Sequence, residues 1–179
     1  ISCSLVGSEM CIRDRSIYTR FGDKAGLFSA VVKPAADGLM ELYLESITAA
    51  RESGDPAEAT SQGNEGTELV LKYIYENFDV FKLIFCHSAG TEYERYFDEL
   101  AEIEEKYYRE FVKQFSRREN MVSDFFIHVI CRTGWSYIYE VVSHDLSYDE
   151  AQIFMKSIRE FCFAGWGKVL GQNYEDLGL

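Results

Sequence analysis

Proline is nearly missing from this chain, with two residues in 179, at positions 34 and 56. A sandwich or barrel of short strands needs a turn signal about every ten residues, and few such clusters occur here. Apolar residues instead recur three and four apart over long stretches, which predicts an all-α protein. Long uncharged apolar runs are missing too. Asp124, Arg132, Glu140, Glu160 and Lys168 interrupt every stretch approaching the ~18 residues of a membrane span, so no membrane association is expected. The cysteines are far apart and show no Cys-x-x-Cys, so neither a zinc ribbon nor a disulfide framework is expected. His128 and Cys131 share a helical face, and Cys86 with His87 could approach them, but buried cysteine is usually a small hydrophobe and no metal is expected. Glu-x-x-His, a glycine-rich phosphate loop and Gly-x-Ser-x-Gly are all absent. Neither an enzyme nor a cofactor is expected.

Positive charge is scarce and unevenly placed. The chain has 18 Lys and Arg against 30 Asp and Glu, a net charge of −12. Residues 1–33 hold five basic residues and three acids, so they carry +2 and the remainder carries −14. A body of that sign repels nucleic acid, and any phosphate contact falls to the first thirty-odd residues. What the chain has in quantity is apolar and aromatic surface, 47% and 15% of residues, enough for one sizeable core in one or two domains.

The chain does not begin with Met, and "ISCSLVGSEMCIRDR" fits nothing that follows. It resembles translated sequencing-adapter DNA, so residues 1–15 are expected to be a non-native leader, with native sequence starting near Ser16. In the segment Ser16-Ile17-Tyr18-Thr19-Arg20-Phe21-Gly22-Asp23-Lys24-Ala25-Gly26-Leu27-Phe28, Ile17 and Phe21 are spaced to pack inward, leaving Tyr18 and Arg20 on the outer side. Gly22 can close one helix in the left-handed conformation and Asp23 can cap the next. Lys24 then sits in a first helical turn, where the macrodipole disfavours a cation and a phosphate would gain both the lysine and the free amides. The plain alternative is a solvated turn between helices.

This segment resembles the end of the helix-turn-helix of the tetracycline-repressor (TetR) family: a small hydroxyl residue, an apolar residue, Tyr, two variable, Phe, two variable, Lys, two variable, Leu. The resemblance implies DNA contacts by Ser16, Tyr18, Thr19, Arg20 and Lys24, with Tyr18 and Lys24 anchoring the backbone and Thr19 and Arg20 near the groove. In the family, two full helices and the base-reading start of a third precede this segment. Here the leader stands in their place, so the anchor is expected without most of the reader. The expected organisation is a leader over 1–15, a remnant of the DNA-binding domain over 16–33, and a helical effector-binding and dimerisation domain over 34–179.

Beyond the motif a helix is expected from Asp23 to about Ser53, kinked or restarted at Pro34. Residues 52–66, "ESGDPAEATSQGNEG", read as a loop because Gly54, Asp55, Pro56, Gly63, Asn64 and Gly66 favour turns. A helical stretch with a break at Asn77 to Asp79 follows. A capping box of Thr91 and Glu94 then opens a helix reaching Ser116, whose Glu102/Lys106 and Glu105/Arg109 pairs read as a solvated face. The last two helices, the second opened by Ser147 with Glu150, are apolar on more than one face. They are expected to form a homodimer interface over about 120–170, with Gly134, Gly165 and Gly167 permitting close approach. The family's final helix pair forms a four-helix bundle across a two-fold axis.

Tyr43, Tyr73, Phe78, Phe81, Phe85, Phe97, Phe126, Trp135 and Tyr139 exceed what a tight core requires, so a pocket for a small hydrophobic or aromatic effector is expected, taking a cation if an acid such as Glu140 lies nearby. By resemblance the chain is a cytoplasmic, dimeric transcriptional regulator acting as a repressor, whose intact form binds a duplex operator. The rival reading is a helical small-molecule-binding or interaction module that does not bind DNA.

Overall fold

The computed structural model describes residues 18–52, 56–116 and 122–171, and among these the chain is all-α. The leader, Ser16 and Ile17 lie outside the described residues. A helical turn at 18–21 precedes α1 (Lys24–Arg51), which Asp23 caps by accepting from the Gly26 amide at 2.8 Å. Pro34 does not break α1. The carbonyl left without its amide partner belongs to Ala30, and both residues are exposed, so water can take that bond.

The expected loop over 52–66 is corrected over 56–66, since α2 spans Pro56–Glu76; residues 53–55 lie outside the described residues. Proline suits a first helical position, where its missing amide has no intrahelical partner anyway, and Glu58 in the first turn complements the macrodipole. Packing on α1 overrides the local turn signals. Gly66 is buried so closely against Ser46 that a Cβ there would lie 2.8 Å from the serine's own, and Ala59, Val70, Leu71 and Ile74 are buried along the helix.

The expected break is present: Asn77 alone separates α2 from α3 (Phe78–His87), its side chain donating to the Tyr73 carbonyl at 3.0 Å. The capping box at Thr91 and Glu94 is a correction. Thr91 Oγ1 donates to the Ser88 carbonyl and accepts from the Tyr93 amide, while Glu94 accepts from Gly90, so the pair builds a turn. Helix α4 (Tyr96–Phe115) starts beyond it. Helix α5 (Asp124–Ser143) is capped by Ser123, which accepts from the Phe126 amide. Helix α6 (Tyr148–Leu170) opens with the expected capping box, Ser147 and Glu150 bonding reciprocally, and Gly171 in the left-handed region closes it.

Helix α1 packs along α2 and also meets α3 and α4, α4 pairs with α5, and α3 fits between α1 and α5. Leu39, Ile74, Phe81 and Leu100 are fully buried where these helices meet. Two buried or half-buried tyrosines on this frame have satisfied hydroxyls: Tyr96 donates to the Ala36 carbonyl at 2.6 Å and Tyr75 to that of Leu146 at 2.9 Å. Helix α6 lies against the rest through Tyr108–Trp166 stacking at 5.0 Å, the Tyr137–Phe154 edge contact and an Arg159–Glu68 ion pair at 3.0 Å. No helix of the described residues is long and apolar enough to cross a membrane.

Candidate functional site

Helix α4 carries acids on the face it buries. Leu100, Glu104 and Tyr108 fall four apart on one stripe, and Ala101, Glu105, Tyr108 and Val112 on the next. The reading of this segment as a solvated ladder is therefore corrected. Glu105 is buried, taking Arg109 Nη2 at 3.0 Å on one oxygen and His128 Nδ1 at 2.8 Å on the other, while Glu102 bonds Arg95 instead of Lys106.

Glu104 has no such partner. Among the described residues no basic side chain ion-pairs with it; Arg109 and His128 are committed to Glu105, and Arg132 to Asp98. The residue is half-buried, yet enough protein surrounds its carboxyl for desolvation to lift it from the ordinary carboxylate range to about 8, against the opposing pull of the Trp135 and Tyr43 donors. Both donors face that carboxyl without meeting it at hydrogen-bonding geometry. Tyr43 Oη on α1 and Trp135 Nε1 on α5 are buried and have no partner. A buried donor without an acceptor is costly, on the order of 1–3 kcal/mol, and Tyr75 and Tyr96 show that the same frame satisfies hydroxyls elsewhere. Burial first, and the Glu104 charge second, push the Tyr43 and Tyr108 hydroxyls and the Cys131 thiol above their ordinary values.

The aromatic residues picked from the sequence divide into groups. Trp135 meets Tyr43 edge-on at 5.0 Å and Phe97 at 6.1 Å, and Phe97 continues to Phe85 at 4.0 Å and Tyr139 at 6.4 Å. Phe85 leads on to Phe81, wholly buried in the core, and Phe81 to Tyr73. Phe126 touches Trp166, which stacks on Tyr108, so it reaches the Glu104 region from the α6 side. Phe78 stands apart, packing on Tyr75. The acid beside Tyr43 and Trp135 is Glu104, whereas Glu140, the example the sequence offered, is exposed and lies 3.1 Å from His144. The interrupted apolar stripe Leu100–Glu104–Tyr108 was the signal available for Glu104.

At the other end of α1, Tyr18, Thr19, Arg20 and Lys24 are exposed, and Ser16 lies outside the described residues. Gly22 has φ +80° and accepts nothing larger without strain, as expected for the turn. Arg20 leans over the Phe21 ring, 5.4 Å from its centroid. An open crevice of about 440 Å³ lies beside this turn, lined by small residues including Ala25, Gly26 and Ala30, and its carboxylate, Glu92, already accepts from Ser29. Phe28 packs on Tyr93 at 6.1 Å, so the 88–95 turn braces the start of α1.

Helices α5 and α6 leave apolar side chains outside: Phe125 is 74%, Ile153 69% and Phe161 71% exposed, with Val129 also exposed. Gly165 has open space around it, and Gly134 faces Glu104. Among the described residues no group of three His, Cys, Asp or Glu could hold a metal ion. No protein-family model matches this chain, and neither a curated protein nor a solved structure matches it.

Proposed function

We propose that this protein is a TetR-like, small-molecule-controlled DNA-binding regulator acting as a repressor, a cytoplasmic homodimer whose effector binds among the aromatic side chains around Tyr43, Trp135 and Phe97. One observation carries the reading: an unbroken helix, α1, runs from Lys24 in the exposed turn to Tyr43, buried against Trp135. Those residues are nineteen positions apart on it, about 28 Å along the axis at 1.5 Å per residue. A ligand that displaces Tyr43 moves the helix, and with it the turn carrying Tyr18, Arg20 and Lys24. Effector and operator binding then oppose each other by the same factor in both directions. The exposed Phe125, Ile153 and Phe161 favour α5 and α6 as the dimer face, since large apolar side chains left in water are what association covers.

The test uses a version carrying the two helices that the resemblance places ahead of Ser16. It should bind a two-half-site duplex, and Lys24→Ala should reduce the salt slope by about one per affected subunit without changing the preferred sequence. A compound that raises Tm should release the duplex. If the extended protein binds DNA no better than residues 34–179 alone, while compounds still raise its Tm, the ligand-binding module that does not touch DNA is the correct reading.

A further inference from the structure

We infer that the crevice beside the start of α1 takes a small primary alkylammonium ion, with the Glu92 carboxylate and the Ala30 carbonyl as its acceptors. The site lies apart from the aromatic residues around Tyr43 and goes beyond the reading above.

Shape sets the first limit. The crevice holds about 440 Å³ between the first two turns of α1 and the turn at 90–92, a volume in the range of small-molecule sites. Ala25, Gly26, Ser29 and Ala30 fall on one face of α1 and carry nothing larger than a hydroxyl, so an unbranched alkyl chain can lie flat against them. Opposite them stands Gly90, whose φ of +76° suits glycine and leaves that wall without a Cβ as well.

Hydrogen bonding narrows the chemistry further. The hydroxyls of both walls and the amides of Gly26 and Gly90 are spent: Ser29 donates to Glu92, Thr91 to the Ser88 carbonyl, Gly26 to Asp23 and Gly90 to Glu94. Acceptors are what remain. Among the described residues the second Glu92 oxygen has no hydrogen bond or ion pair, and the Ala30 carbonyl has no amide to accept from at Pro34. Lys33, one turn further along α1, is held by Asp37 at 3.0 Å. A primary ammonium brings a positive charge and three N–H donors together, which this edge matches. A quaternary ammonium brings the charge without a donor, and an alcohol brings a donor without the charge. An anion would meet Glu92 and a body that carries −14 beyond residue 33.

Occupancy also braces the start of α1. Phe28 on Tyr93 and Ser29 on Glu92 already join the two walls, and an ammonium bonded to Glu92 and Ala30 adds a further tie. Amide exchange at Leu27, whose bond runs to the Asp23 carbonyl, should slow when the crevice is filled.

Nuclear magnetic resonance titration of the full chain with butylammonium, 1-butanol and butyltrimethylammonium, which share one alkyl chain, tests this. Butylammonium should give saturable shifts at the amides of Gly26, Ala30 and Gly90, and the other two should leave those amides unmoved at the same concentration. Glu92→Gln should weaken butylammonium about tenfold, as expected for a hydrogen bond to a charged group. Pro34→Ala, which supplies the Ala30 carbonyl with an amide, should weaken it about threefold. Glu45→Gln removes the same charge from another exposed position on α1 and should change the affinity by less than about twofold. Glu92, Pro34 and Glu45 are all exposed, so each variant keeps the core intact. Equal shifts with butyltrimethylammonium would show that charge alone attracts the guest and would overturn the inference. A loss in Glu45→Gln matching that in Glu92→Gln, unchanged binding in Glu92→Gln or Pro34→Ala, or no saturable shift with butylammonium would overturn it as well.

Discussion

A carboxyl held at about 8 in the fold and at 4.5 when exposed makes stability depend on pH in a predictable direction. Between those values the folded chain keeps a proton that the unfolded chain has lost. The folded state therefore binds more protons, and stability falls as pH rises. The contribution is whole below pH 4.5, declines across the neutral range and is gone above about pH 8. One pH unit corresponds to about 1.4 kcal/mol, so the full interval sets a ceiling of about 5 kcal/mol. Glu104 is half-buried, water relieves part of that cost, and we expect about 2–4 kcal/mol. Glu104→Gln keeps the volume and an oxygen that can accept from Tyr43 and Trp135, but it cannot ionise. Urea unfolding followed by far-UV circular dichroism at fixed protein concentration, from pH 5 to pH 9, measures the difference between the two proteins. The variant should gain about 2–4 kcal/mol on the wild type across that range, then hold level. A difference constant to within about 0.5 kcal/mol would show that water reaches the carboxyl freely and that it is not desolvated in the fold.

Two other variants probe the remaining features. Phe125→Glu combined with Phe161→Glu places charge on side chains that are 74% and 71% exposed, and light scattering should show a wild-type dimer converted to monomer; a wild-type monomer at micromolar concentration sinks the dimer. Gly26→Ala puts a Cβ 2.0 Å from the Phe21 carbonyl oxygen, so the 21–24 turn has to move. Amide exchange at Gly22 and Leu27, whose bonds run to Tyr18 and Asp23, should accelerate at least tenfold with little change in Tm, because the core is untouched. Unchanged exchange would mean that the turn is held by something other than this close packing.

Local chemistry made much of the helical framework legible in the sequence. The capping box at Ser147, the Asn77 break, the Gly22 turn and the Asp23 cap are each written within four residues, and the structure forms all of them. Turn signals failed where packing outweighed them. Gly63, Asn64 and Gly66 favour a loop, yet burial of Ala59, Val70 and Ile74 against the frame holds α2 helical through them. Thr91 and Glu94 have the spacing of a cap and use it in a turn five residues before the helix.

Periodicity settled that the chain is helical and which helix faces are apolar, because both follow from spacing along one chain. The same spacing puts Glu104 in line with Leu100 and Tyr108, a signal that the reading of this segment as a solvated face passed over. Only the tertiary arrangement set Tyr43 and Trp135, from two other helices, against that acid while giving Arg109 and His128 to its neighbour Glu105. Desolvation, a missing counter-ion and unmatched donors are properties of a space enclosed by several helices, and no single segment encodes them.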